Sequence, residues 1–297
     1  MNIVILGHGA WGKAIGGVVQ KLGHTVTFVG HGDSSWPAFS AQPDHVLIAL
    51  PVQHIRKTLT HFPTLGVPVL SLSKGLEIMT GARVSQIITE VWNEPRVAAL
   101  SGPTFASEIA AGLPAICTIA AQDEELAKEF QAVLHQPSFR TYTSGDLIGV
   151  ELGGALKNIY AIAGGACHGL KLGQNSLAGL LTRCLAEMTR IGVHAGAKAE
   201  TFAGLSGIGD LMLTATSEQS RNFRFGSLLA QGASMQDILP RLGGVCEGLP
   251  TTRSVHLNSA IPADSKPIVT QLHAVLYEGM SPGKAVKNLL SRAARDE

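Results

Sequence analysis

The first twelve residues constrain what this chain can fold into more than any other stretch. Asn2-Ile3-Val4-Ile5-Leu6 is short and almost continuously apolar, and it breaks directly into Gly7-His8-Gly9-Ala10-Trp11-Gly12. An uninterrupted apolar run of that length, from Ile3 to Leu6, reads as a buried strand. Three glycines at G-x-G-x-x-G spacing then require a tight strand-to-helix turn. Gly7 closes the turn, Gly9 lets backbone approach a bound group, and Gly12 lets the helix pack closely on the strand. The helix that follows, Trp11 to Leu22, aims free N–H groups and a positive dipole end at an anion. With a second strand at Thr25, this context signals a bound dinucleotide rather than an ordinary glycine turn.

The pattern repeats. Further strands are expected at Thr25 to Val29, Val46 to Leu50, Val69 to Leu72, Ala98 to Leu100 and Ala115 to Ala120. Between them, helical spacing covers Gln53 to His61, Arg83 to Trp92, Phe105 to Ala111 and Glu124 to His135. Alternation of this kind predicts an α/β domain with a doubly wound, Rossmann-like parallel sheet. After about Thr143 strand signals vanish, and Ala, Leu and Gly at three- and four-residue steps take over. The expected division is a dinucleotide-binding domain at 1–144 and an all-helical C-terminal domain at 145–297. Asn175 is the expected N-cap of the helix that carries Leu177, Leu181 and Leu185.

Composition excludes several classes. Of 297 residues 45% are hydrophobic and 15% charged, which suits a packed core and not a disordered chain. A net charge of +1 provides no general field to recruit nucleic acid or a membrane surface, so an anionic ligand must be held by local groups. Cys117, Cys167, Cys184 and Cys246 form no C-x-x-C pair, and free thiols in a reducing cytosol are expected. The eleven histidines show no H-E-x-x-H or paired spacing, so no metal site is expected. The N-terminus has no basic leader, and Lys157, Asn158, Lys171 and Arg183 interrupt the long apolar segments, so no membrane span is expected. These readings describe a cytoplasmic protein with a small-molecule partner. Apolar helix surface in the second half suggests a homodimer.

Five later segments carry chemistry. Ser73-Lys74-Gly75 and Ser101-Gly102-Pro103-Thr104-Phe105-Ala106 both follow strands, at the end of the sheet where open α/β folds bind ligands. Pro103 suits the first turn of a helix there. Lys157 and Asn158 close Gly153-Gly154-Ala155-Leu156-Lys157-Asn158, a small-residue segment where a buried amine would lose hydration and acidify. Asp210, if it opens a helix, puts Thr214 one turn along the same face. Ser220-Arg221-Asn222 offers a planar fork and an amide suited to a phosphate monoester. Cofactor choice turns on Phe28-Val29-Gly30-His31-Gly32-Asp33. No acid sits at the strand end to bind a ribose 2′-OH, and His31 could pair with a 2′-phosphate, which favours NADPH, with Asp33 keeping NADH open.

Taken in order, these blocks resemble the NAD(P)-dependent glycerol-3-phosphate dehydrogenase family, from Gly7 to at least Glu247. The resemblance implies reversible reduction of dihydroxyacetone phosphate to sn-glycerol 3-phosphate for phospholipid synthesis. It implies that Lys157 is the general acid/base, with Lys74 and Asp210 beside it at the reacting centre. Gly102, Thr104, Asn158, Thr214, Ser220, Arg221 and Asn222 match substrate contacts. Gly7, Gly9, Ala10, Trp11, Gly12, His31, Lys74, Ala106, Arg221, Val245 and Glu247 match cofactor contacts. The chain departs from the family where His31 to Val46 is shorter than usual, and where Ala10 stands for a common serine. Hydroxyacid dehydrogenases and ketopantoate-type reductases share the architecture. A non-catalytic NADP-sensing protein is the alternative from the binding class.

Overall fold

The computed structural model describes residues 1–30, 33, 36, 42–93 and 96–292. Seven strands form one sheet: β1 (Asn2–Leu6), β2 (Thr25–Val29), β3 (His45–Ile48), β4 (Val69–Ser71), β5 (Val97–Ser101), β6 (Ala115–Ala121) and β7 (Phe139–Ser144). Their order across the sheet is β2-β1-β3-β4-β5-β6-β7. Helices α1 (Ala10–Lys21), α2 (Val52–His61), α3 (Val84–Trp92), α4 (Ala106–Ala110) and α5 (Glu124–Leu134) join them. Successive residues of β1 enter different cores. Ile3 and Ile5 pack with α1 and α5, whereas Val4 and Leu6 pack with α2 and α3. The centre of the sheet is therefore covered on both faces, which is why β1, β3 and β4 read as nearly unbroken apolar runs.

Several features differ from the sequence reading. The pairs from β2 through β5 are parallel, but β6 runs antiparallel to β5, and β7 is parallel to β6. The strand β7 was not expected at all. Its residues alternate buried and exposed at a sheet edge, so Phe139 and Thr141 are inside while Arg140 and Tyr142 face out. Pro103 also lies before its helix rather than in the first turn, since α4 begins at Ala106.

Beyond β7 the chain is helical: α6 (Leu147–Gly169), α7 (Gln174–His194), α8 (Ala199–Phe202), α9 (Asp210–Ala215), α10 (Arg221–Ala230), α11 (Met235–Ile238), α12 (Gly248–Leu257), α13 (Pro267–Tyr277) and α14 (Pro282–Leu290). A π-helical turn, Leu205–Gly209, runs directly into α9. Asp146 caps α6, accepting from the Gly149 N–H at 2.9 Å, and its other oxygen binds Thr201 of α8 at 2.6 Å. Gly173, not Asn175, is the N-cap of α7. Asn175 sits inside the first turn.

The central helix α6 is buried along most of its length, and glycine is what lets its neighbours approach. A methyl group on Gly165 would overlap the Phe223 carbonyl of α10, and one on Gly226 would overlap the Ile162 carbonyl of α6. The two helices meet backbone to backbone, and backbone cannot yield as a flexible side chain can. Gly165→Ala is expected to cost about 1–3 kcal/mol, the usual scale of core overpacking. A urea titration reading an unchanged midpoint would show that the helices can part.

Candidate active site

Three elements separated in sequence meet at one carboxylate. Lys157 projects from the middle of α6, Asp210 is the first residue of α9, and Lys74 lies in the segment after β4. The Lys157 ammonium donates to Asp210 Oδ1 at 2.9 Å and to Thr214 Oγ1 at 2.7 Å. Lys74 donates to the other oxygen, Oδ2, at 2.7 Å. It also donates to the Gly102 carbonyl at 2.9 Å and to Thr104 Oγ1 at 3.3 Å. The Thr214 hydroxyl donates to Asp210 Oδ1 at 3.1 Å, one helical turn away, as the spacing had suggested.

Lys157 does not snorkel to solvent. It is 8% exposed and Asp210 is 1% exposed. Burial is the main influence on the amine and pushes it down to about 8, although the Asp210 carboxylate pulls the other way. Lys74 and Arg221 add to the fall. For Asp210, burial alone would favour the neutral acid, but two ammonium groups outweigh it and hold the carboxyl below its ordinary value. The approach of α6 again depends on glycine. A side chain on Gly154 would strike Ser101 Oγ, and one on Gly153 would strike the Ser206 carbonyl beside the π-helical turn.

A relay of amides continues from this centre. Asn158 Nδ2 donates to the Lys74 carbonyl at 3.2 Å and to the Gly154 carbonyl at 3.3 Å. Its Oδ1 accepts from Asn222 Nδ2 at 2.8 Å. Asn222 Oδ1 in turn accepts from the Gly248 N–H at 2.9 Å and from the Cys246 thiol at 3.0 Å. Each of the two carboxamides thus makes three of its four possible hydrogen bonds within the protein. Both fix the orientation of neighbours at least as much as they offer contacts. Neither Cys246, read only as a free thiol, nor Gly248 was expected at the site, and the only hint is their position around Glu247. Ser220 caps α10, accepting from the Phe223 N–H at 3.2 Å. Arg221 donates to the Val245 carbonyl at 3.1 Å.

The first turn has the features needed to hold a dinucleotide. Gly7 adopts φ +103°, and a side chain there would collide with the Ala49 carbonyl. Gly12 is pressed equally close against Gly7. Gly9, by contrast, faces open space, and no side chain caps the α1 N-terminus. The backbone N–H groups of Ala10, Trp11 and Gly12 are therefore presented for a pyrophosphate. Trp11 Nε1 donates to the Leu72 carbonyl at 2.8 Å, and Lys74 stands 5.9 Å from the centre of its ring. Glu247 closes the far side. One oxygen accepts from the Val52 N–H at 3.1 Å, and burial pushes its carboxyl up to about 7 against the pull of Val52 and Arg221. Ala106 is the first residue of α4. His31 lies outside the described residues.

Comparison with known proteins matches this arrangement. Residues 146–287 match the family described as NAD-dependent glycerol-3-phosphate dehydrogenase C-terminus, and residues 38–127 match the corresponding N-terminus. A glycerol-3-phosphate dehydrogenase [NAD(P)+] of Maridesulfovibrio salexigens is 39% identical, with 100% of each chain covered. This chain belongs to the NAD-dependent glycerol-3-phosphate dehydrogenase family. A Moorella thermoacetica relative of the same name is 44% identical over 85% of this chain and 76% of its own. The crystal structure of glycerol-3-phosphate dehydrogenase from Coxiella burnetii superposes with a TM-score of 0.89 at 33% identity, covering 98% of this chain and 99% of that one. Membership in this dehydrogenase family makes the chain an oxidoreductase that uses NAD or NADP.

One cluster elsewhere was not signalled by spacing. His256, His273 and Glu278 bring nitrogen and oxygen atoms within 4.8 Å of one another. The two imidazoles are stacked, with centroids 3.7 Å apart and planes 9° from parallel. Their in-plane lone pairs therefore do not converge on a common point. Among the described residues no helix is long and apolar enough to cross a membrane.

Proposed function

We propose that this protein reduces dihydroxyacetone phosphate to sn-glycerol 3-phosphate with NADPH or NADH, reversibly, in the cytoplasm and as a homodimer. The observation that carries the reading is the buried Lys157–Asp210–Lys74 triad at the carboxyl end of the sheet, beside a turn fitted for a dinucleotide. When bound, the nicotinamide would supply the hydride to the carbonyl carbon. Negative charge then develops on the carbonyl oxygen, and Lys157 stabilises it and delivers the proton. Lys74 adds positive charge at the same site. Asp210 aims both amines, and Asn158 holds the backbone of Lys74 in place. Arg221 and Asn222 would hold the phosphate, a remote handle whose binding energy orients the reacting carbon.

Proton delivery fixes a pH dependence. An amine that titrates near 8 is charged below that pH and neutral above it. Ketone reduction, which needs the ammonium, is expected to fall as pH rises through about 8. Alcohol oxidation, which needs the free amine as base, is expected to rise over the same range. Rate profiles that moved in the same sense for both directions would remove Lys157 from the proton step.

The direct test is the initial rate of NADPH oxidation, with NADH alongside, when dihydroxyacetone phosphate is added to purified protein. Substrate-dependent oxidation supports the reading. Folded protein that binds cofactor but consumes none would point to a sensor, and consumption with a hydroxyacid or ketopantoate-type substrate would point to the sister reductases. Light scattering checks the dimer.

A further inference from the structure

The choice between the two cofactors is decided where the adenosine ribose lies. In this class of turn the pyrophosphate sits on the helix N-terminus and the ribose reaches toward the end of the second strand, where a carboxylate commonly binds its 2′-OH. Here the end of β1 and the end of β2 are joined by the Gly7 N–H, which donates to the Val29 carbonyl at 2.7 Å. Neither Phe28 nor Val29 offers a carboxylate. Asp33 turns back on the strand, accepting from the Gly30 N–H through Oδ2 at 2.7 Å. Among the described residues, the side chain that reaches this point is His8, the residue between the first two glycines. Its exposed side chain extends from the turn to the end of β2, where a Cβ on Gly30 would collide with its Cε1 and Nδ1 atoms. The two positions are complementary, since glycine at 30 makes the room that the imidazole uses.

Resting on the dehydrogenase reading, we infer that His8 reads the ribose 2′ position and favours the 2′-phosphorylated cofactor, NADPH. An imidazole is a donor to phosphate oxygens and carries positive charge when protonated. A carboxylate in its place would accept from a 2′-OH and repel a 2′-phosphate.

The experiment is a fluorescence titration of NADPH and of NADH, without substrate, on the wild-type chain, His8→Ala and His8→Asp. Loss of the ring is expected to weaken NADPH by about tenfold, the scale of one charge-assisted hydrogen bond, and NADH by much less. His8→Asp is expected to reverse the order of the two cofactors. Unchanged NADPH binding in His8→Ala overturns the assignment. So does equal weakening of both cofactors, which would show that the ring only supports the turn. Circular dichroism of each variant separates these outcomes from misfolding. Because no ketone is present, a failure here is distinct from a failure of the proposed reaction.

Discussion

Lys157→Ala is expected to fold, to bind NADPH with near wild-type affinity, and to lose at least about a hundredfold in turnover, the lower end of what a positioned general acid supplies. Binding should survive because the dinucleotide turn is built from residues 7–12 and owes nothing to α6. Folding should survive because Asp210 keeps Lys74 at 2.7 Å, so no charge is left bare in the core. Lys157→Met, which fills the same channel without an amine, separates lost chemistry from lost packing. Fluorescence of bound NADPH and single-turnover rates on both variants give the answer. A variant that turned over near normally would mean the proton comes from elsewhere, with Lys74 the first candidate.

Asp210→Asn is expected to have the broader effect. The carboxylate is shared by two ammonium groups and is itself only 1% exposed. Its loss leaves two cations facing each other across a neutral amide. Breaking a buried pair in this way costs about 3–5 kcal/mol, and here the remaining amines can relieve it only by giving up a proton. Asp210 is the main group holding the Lys157 amine up against burial, so that amine is expected to titrate well below about 8 in the variant. The decline in ketone reduction would then begin at lower pH. A lower urea midpoint together with a pH profile displaced to the acid side is the expected result. Wild-type stability with an unmoved profile would show that the lysines do not depend on this carboxylate.

Much of the fold was legible because burial on both faces leaves a simple trace in sequence. The strands β1 through β6 are runs of apolar residues, and their boundaries fell within one or two positions of expectation. The edge strand β7 escaped because Phe139-Arg140-Thr141-Tyr142-Thr143-Ser144 mixes inward and outward residues and reads as polar. The reversed direction of β6 escaped for a different reason. An apolar run says that a strand is buried but not which way it runs. At the site, Lys157 and Asp210 were each conspicuous as charges among small residues. Their pairing across 53 positions followed only from the resemblance, since nothing local to either encodes the other. The amide relay was the least legible part. Asn222 reads from sequence as a phosphate ligand, and only its bonds to Gly248, Cys246 and Asn158 show how much of it is committed inward.

The glycine contact between α6 and α10 has a bearing on substrate breadth. Lys157 and Asn158 ride on one helix, and Arg221 and Asn222 on the other, while the two backbones touch at Gly165 and Gly226. The spacing between Lys157 and the Arg221–Asn222 pair is therefore a fixed ruler rather than an adjustable gap. A longer or shorter phosphorylated ketone cannot be accommodated by sliding one helix. Breeding this enzyme toward such substrates would have to proceed through side-chain exchange at the ends of the ruler, with its length left alone.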